Sequence, residues 1–370
     1  MAITSGKTTT ANRTIGVKVD MDEAIQILPI DDVPLQRWLP SGPTSNIKVE
    51  WMEEALAAQT AILTTVTDTD TPWTCTMPDT NVFRAGDVLH IVGNSESELY
   101  LVDSITNSTT MEISEFGTTD GAVSGDDPVD DDVFEIVGQV LTEGADPLDA
   151  RSQERTALYN YTQIGQEKVE ASRTSRKQAT YAQSDPYDHE VQKKFRELAI
   201  RFERQLVLGQ RYQSGSKRAM GGLFYYISTN SQSGVAANAK TLVQSLVRDC
   251  WTAGGSPQAL WVSPAVKAAI TANYDAALRR TVRDDKTAGF TVERIVTDFG
   301  DVDVYANRYF PATKGLLLQR EYDTKRVFDG YTHEMLSKTG DADKGQLVGE
   351  FSLEVKNETA QGILTITDAT

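Results

Sequence analysis

The stretch SDPYDHEVQKKFRELAIRFERQLVLGQR, residues 184–211, limits the fold more than any other part of the chain. Asp185 is placed to cap a helix and Pro186 to open its first turn. Val191, Phe195, Leu198, Phe202 and Leu206 then recur at spacings of three and four. They make one apolar stripe, with Lys193, Lys194, Arg196, Glu197, Arg201 and Arg204 largely outside it. The pattern predicts a helix of about six or seven turns, roughly 35–40 Å long. A single long helix with one apolar side is suited to act as a structural spine.

Just before it lies NYTQIGQEKVEASRTSRKQ, residues 160–178, which reads as extended and polar. It has no apolar face of its own, and it is basic in a chain whose formal net charge is −17. A strand that cannot bury itself lies on something else, either another chain or the edge of a sheet in its own chain.

Charge is unevenly distributed. Residues 85–150 carry 16 acidic groups and no Lys or Arg, whereas residues 151–218 carry 14 basic and 8 acidic groups. Such an excess of acid speaks against duplex DNA binding by the whole surface. Asp outnumbers Glu 31 to 22 and Arg outnumbers Lys 20 to 16, a usage like that of proteins from salt-rich cytoplasm. With 39 % hydrophobic and 24 % charged residues, the composition is that of a soluble globular protein. At 370 residues, two or three structural units are expected. No apolar run reaches the roughly 18–20 residues of a membrane span. The polar Thr/Ser-rich start is not a secretory signal, so Asn107 and Asn160 in N-x-T sequences imply no glycosylation. Cys75 and Cys250 fit no pairing motif and read as buried free thiols.

Along the chain, residues 1–18 form a Thr-rich, lightly basic arm, DMDEAIQILP (20–29) a short helix, and SNIKVEWMEEAL (45–56) a strand that turns helical or ends at Trp51. Residues 57–145 read as an all-β insertion of short alternating runs at 83–93, 98–106, 109–116 and 133–141, which suggests a small barrel. After the long helix, GLFYYIST (222–229) reads as a strand, 239–255 as a helix, ALWVS (259–263) as a buried strand and 263–280 as a helix capped by Ser263. Strands follow at 301–310, 315–322, 346–355 and 361–367. In QLVGEFSLEV, Leu347, Gly349, Phe351, Leu353 and Val355 face one way and Glu350, Ser352 and Glu354 the other. The class is α+β, with no internal repeat.

The residues offer little chemistry. His90, His189 and His333 pair at no metal-ligand spacing, and no nucleophile elbow, Walker loop or dinucleotide fingerprint occurs. The run DGAVSGDDPVDDDVFE (120–135) brings together Asp126, Asp127, Asp130, Asp131 and Asp132 as hard oxygen ligands. It lacks the alternate-position spacing of a calcium loop, so a solvated acidic loop is the default and a divalent-cation site the alternative. No cofactor and no enzyme activity are expected.

PLQRWLPSGPTSNIKVEWMEEAL (34–56), YNYTQIGQEKVEASRT (159–174), KTGDADKGQLVGEFSLEVKNETAQGILTIT (338–367) and the Gly86-Asp87 strand with EFGTT (115–119) occur in an order that resembles tailed-virus major capsid proteins of the Hong Kong 97-type fold. They look like the family with a β-module inserted in the extended loop, over residues 20–367. The resemblance implies an N-terminal arm (1–56), an inserted β-barrel-like module (57–145), an extended loop (146–184), a spine helix and peripheral domain (185–235), an axial domain (236–312) and returning peripheral strands (313–370). It implies hexamers and pentamers closing an icosahedral shell in the host cytoplasm around double-stranded DNA, without sequence-specific DNA binding and with no membrane.

On that reading Asn160, Tyr161, Thr162, Gln163, Lys168, Arg173, Arg176 and Lys177, with Arg13 and Lys18 of the arm, contact neighbouring subunits. The module projects outward and receives a decoration or turret protein, or cations. A portal joins the shell. No scaffold is fused at the N-terminus, so the scaffold is separate or absent. The rival readings are a cellular shell of the same fold around an enzyme cargo, a β-rich tail or adhesin protein, and a hydrolase using surface carboxylates. The module and the family-like stretches speak against the first, and the spine helix against the second.

Overall fold

The computed structural model describes residues 33–67, 72–93, 98–117, 127–144, 146, 148, 154–177, 186–277, 293–337 and 340–369. The expectations for Arg13, Lys18, the 20–29 helix, Asp126 and the capping Asp185 lie outside those residues. The chain forms two compact units, one of residues 52–156 and one of residues 1–51 with 157–370.

α1 (Pro34–Trp38) and β1 (Ser41–Pro43) precede β2 (Lys48–Glu53), and the chain has no regular structure from Glu54 to Gln59. The smaller unit then contains β3 (Thr60–Ile62), β4 (Thr65–Val66), β5 (Trp73–Thr76), β6 (Asp87–Ile91), β7 (Leu99–Ile105), β8 (Thr110–Phe116) and β9 (Val133–Gln139). They form one sheet in the order β3-β9-β6-β7-β8-β5-β4. β3 and β4 are two halves of one segment, the first paired with β9 and the second with β5. Between them Leu63 N donates to Asp132 O at 2.7 Å and Thr64 N to Thr76 O at 2.8 Å. One segment thus joins both edges of the sheet and closes it into a small barrel, leaving no long free edge. Leu63, Phe83, Leu89, Ile91, Tyr100, Met111, Ile113 and Phe134 fill it.

The smaller unit also concentrates the charge. Residues 52–156 hold 3 basic and 22 acidic groups, a net of −19, while the rest of the chain holds 33 and 31, a net of +2.

The chain returns through β10 (Thr156–Tyr161), which pairs with β2, and continues as β11 (Gln163–Ser172), α2 (Arg173–Lys177) and α3 (Pro186–Leu208). α3 is the expected spine of 23 residues, about 34 Å at 1.5 Å per residue. Leu198, Phe202 and Leu206 of its stripe are buried, while Phe195 remains 43 % exposed against Tyr331. Gly165 of β11 faces the helix. A Cβ there would sit 2.9 Å from Leu198 Cδ1, so the missing side chain lets the spine close on the strand.

The remainder runs β12 (Tyr212–Ser214), β13 (Lys217–Ala219), α4 (Leu223–Tyr226), β14 (Asn230–Gly234), α5 (Ala239–Thr252), β15 (Ala259–Val262), α6 (Pro264–Ala277), β16 (Arg294–Thr297), β17 (Gly300–Ala306), β18 (Lys314–Leu318), β19 (Asp323–Leu336), β20 (Ala342–Val355) and β21 (Gly362–Ile366). A six-stranded sheet, β14-β21-β18-β15-β17-β16, has two buried faces. Leu260, Val262, Leu317, Leu364 and Ile366 meet α5 and α6 on one face. Ala259, Trp261, Leu316 and Leu318 join the cluster that holds Phe202, Leu206 and Leu223 on the other. A second sheet, β1-β19-β20-β11, lies along α3. Ser263 Oγ accepts Val266 N at 3.1 Å and caps α6 as expected.

Two expectations are corrected, and one strand was not expected. GLFYYIST is not a strand: Leu223 and Ile227 are both fully buried in one cluster, and their spacing of four suits the helical turn α4. Arg173–Lys177 is helical rather than extended. The 14-residue β19, unread in the sequence, is a strand although most of it is polar, because β20 pairs with it nearly end to end.

Glu203 of α3 ties the N-terminal segment to this unit. Its carboxylate accepts Leu35 N at 2.9 Å, Gln36 N at 3.0 Å and Asn307 Nδ2 at 2.8 Å. Burial pushes its pKa up, and these donors oppose the rise. Burial also pushes the Cys75 and Cys250 thiols up to about 12.

Asp323 at the start of β19 is wholly buried and has Gln361 Nε2 as donor at 3.0 Å. Burial pushes its carboxyl up to about 7. The folded group therefore holds its proton more tightly than the unfolded one. Its contribution is most favourable below about pH 4 and is lost as pH rises towards about 7. Asp323→Asn is expected to raise stability at pH 8 by up to about 4 kcal/mol and to change it little near pH 4, as read by denaturant unfolding at the two pH values.

Candidate assembly surface

The side chains that place the extended segments of the chain define the candidate site. The chain enters the smaller unit through β2 and leaves it through β10, and these strands pair with each other. Residues 159–163 then anchor that exit to the larger unit.

Asn160 is completely buried. Its Nδ2 donates to Leu353 O at 2.7 Å and Gly221 O at 3.0 Å, while its Oδ1 accepts Gly221 N at 2.8 Å and Tyr161 N at 2.9 Å. Both ends of the amide are satisfied, so Asn160 stitches three segments together. Tyr159 O accepts Tyr226 OH at 2.8 Å and Arg211 Nη1 at 3.0 Å. The Arg211 guanidinium also lies 4.1 Å from the Tyr159 ring centroid, a cation–π contact.

Thr162 is likewise buried, and its hydroxyl lies between Glu350 Oε1 and Arg218 Nε. Arg218 also bonds Glu350, and their side chains are only 15 % and 10 % exposed. Tyr161 O accepts Ser352 Oγ at 3.0 Å, and Gln163 Oε1 accepts Met220 N at 3.1 Å. Farther along β20, Glu354 is bound by Arg326 and, at 3.0 Å, by Lys356 Nζ.

These contacts correct the reading of the polar stretch. β11 is an edge strand of its own chain, paired antiparallel with β20 from Gln163–Phe351 to Ser172–Ala342. Val169 is buried in a small cluster with Tyr187, Leu198 and Leu347. The stretch has no apolar face because its inward row, Gln163, Gly165, Glu167, Val169 and Ala171, is mostly polar or small and only Val169 is fully buried. Asn160 and Thr162 are internal anchors, not exposed contacts. The arm leaving the smaller unit is β10, residues 156–161, and β11 already belongs to the larger unit's sheet.

The other candidates are placed as follows. Lys168 pairs with Glu170, Arg173 Nε lies 2.8 Å from Asp341 Oδ1, and Arg176 pairs with Asp343. Lys177 is exposed at the end of α2. Tyr161 and Gln163 are half-buried. In the acidic run, Asp130 Oδ1 accepts Val66 N at 3.0 Å and Asp132 Oδ2 accepts Val129 N at 2.8 Å. Each of those two carboxylates accepts one backbone N–H of the barrel. Among the described residues no group of three or more His, Cys, Asp or Glu could hold a metal ion. Sequence reasoning did not find Glu203, Arg218 or the Glu350 pair. Alternation in β20 shows that Glu350 and Glu354 oppose the apolar row, but not that a second buried layer with its own cations covers them.

The architecture is that of shell-forming proteins. It is similar to the capsid of an empty GTA particle, at 10 % identity over 97 % of this chain and 99 % of that one, TM-score 0.54. It is similar to the solved structure of Microbacterium phage Oxtober96, at 9 % identity over 97 % and 98 % of the two chains, TM-score 0.53. Mycobacterium phage Bobi gives 10 % identity over 97 % and 98 %, TM-score 0.52. At such identities the likeness establishes the fold, the Hong Kong 97-type capsid fold. No curated protein matches the sequence. The SU10 major capsid protein family matches residues 3–368, and the chain belongs to that family. It is a tailed-virus major capsid protein.

The Arg218–Glu350 pair generates a test. Arg218→Ala leaves a buried carboxylate without its cation and is expected to cost about 3–5 kcal/mol. Arg218→Met with Glu350→Leu removes both charges and is expected to cost clearly less. Denaturant unfolding of the two variants checks this.

Proposed function

We propose that the chain assembles as hexamers and pentamers into a closed icosahedral shell around the double-stranded DNA of a tailed virus, within the host cytoplasm. Its role is structural, not enzymatic. The observation that carries this reading is the match to one major capsid protein family across residues 3–368. Portal, scaffold and decoration proteins are partners of the shell, and DNA is enclosed without sequence readout.

On this reading residues 1–56 act as the arm, whose last strand β2 pairs with β10 of the extended loop; α3 with β11, β19 and β20 acts as the peripheral domain; and α5 and α6 act as the axial domain with their sheet, which takes β18 and β21 out of the returning peripheral strands expected over 313–370. Lys168, Arg173, Arg176 and Lys177, with Tyr161, Gln163, Arg13 and Lys18, remain contacts to acidic surface on neighbouring copies. The pairs of Lys168 and Arg173 are exposed and exchange partners at little cost, whereas Asp343, the partner of Arg176, is only 13 % exposed. A unit of net −19 repels its copies in a lattice, so assembly is favoured by screening salt.

Negative-stain microscopy and light scattering of the protein alone, at low and at molar salt, test the reading. Closed shells, rings of five or six, or sheets are expected, more of them at high salt. A monomer in every condition, persisting on co-expression with portal and scaffold genes, would overturn it. Excising residues 57–145 is expected to leave shells that still close. Complete loss of assembly by a folded, excised protein would instead make the smaller unit part of the lattice.

A further inference from the structure

The barrel carries an apolar outer face inside a strongly acidic field. Ile62 is in register with Val133, and Val92 N donates to Val133 O at 2.9 Å, so three adjacent strands bring these side chains together. The next row across the same face holds His90 beside Leu99, and Leu99 beside Phe116. Their sequence neighbours Ala61, Phe134 and Ile91 belong to the barrel core, so this set points outward. Ile62 is 56 % exposed, Val92 53 % and Phe116 37 %. Single exposed apolar residues are ordinary, but a contiguous row across neighbouring strands marks an interaction surface.

We propose that this outer face of β3, β9, β6, β7 and β8 docks a separate cationic protein, one that presents apolar side chains ringed by lysine and arginine. The apolar row supplies a centre that sheds water. The carboxylates supply the complementary rim: Glu135 lies within the face in register with His90, and Asp130 and Asp131 are exposed at the turn before β9.

Charge selects among the occupants. A second copy of the barrel would set another net −19 against this one, and nucleic acid would be repelled in the same way. A metal ion would engage carboxylates but leave the apolar row wet. The inference rests on the shell reading only for its setting, where many copies of the face would hold a partner by avidity.

The test uses the full chain and two synthetic probes: a peptide of alternating leucine and lysine, and a lysine-only peptide of equal charge. Binding is measured at about 0.15 M salt, where exposed charges are partly screened. The alternating peptide is expected to bind about tenfold more tightly than the lysine-only one. Ile62→Thr, Val92→Thr and Val133→Thr together are expected to remove that preference and leave lysine-only binding unchanged. Threonine suits strands, so the barrel is retained, and Val92→Thr alone serves if the triple variant does not fold.

Equal binding of the two peptides, or an undiminished preference in the folded variant, would overturn the proposal. So would concentration-dependent self-association that the variant abolishes, since the face would then belong to a second copy. Shell formation is scored separately, so failure to assemble and failure to bind are distinct results.

Discussion

The larger unit depends on one strand that has no free side. β20 is paired along one edge with β19 and along the other with β11. From Gly349 to Val355 every residue is buried, so both faces are covered as well. Burying Phe351, Leu353 and Val355 is favourable on its own terms. Burying Glu350, Ser352 and Glu354 is tolerable only if each finds a partner. Those partners are Arg218 and Thr162, the carbonyl of Tyr161, and Arg326 with Lys356. The alternation in β20 therefore dictates where the chain leaving the barrel must sit, and where the β12–β13 hairpin must fold back.

This explains why residues 160–163 of the larger unit are so fully bonded. Asn160 has backbone partners on two other segments, and Thr162 bridges a buried ion pair. The satisfied amide and the paired charges fix the register of these residues where an exposed turn would let it slide.

The division of charge has a different logic. The larger unit is nearly neutral and spends many of its cations internally, as Arg218, Arg326 and Arg211 illustrate. The smaller unit is strongly acidic and keeps its apolar core within a closed barrel. A surface of one sign remains soluble and repels its own kind, which suits a module carried in many copies on one particle.

The sequence by itself determined the elements whose apolar spacing serves one partner surface. The α3 stripe of Leu198, Phe202 and Leu206, the alternating barrel strands, the Ser263 cap and the buried ALWV strand follow from local periodicity and capping. Only the tertiary structure decided what lies against what. β19 is mostly polar, and it is a strand because β20 lies beside it. GLFYY closes into a helical turn because Leu223 and Ile227 share a pocket. Asn160 and Thr162 look like exposed polar residues, yet they are buried because Gly221, Leu353, Arg218 and Glu350 arrive from 56 to 193 positions away. Periodicity is a local property of the chain. The pairing of buried polar groups is a long-range one, and no window of sequence contains both partners.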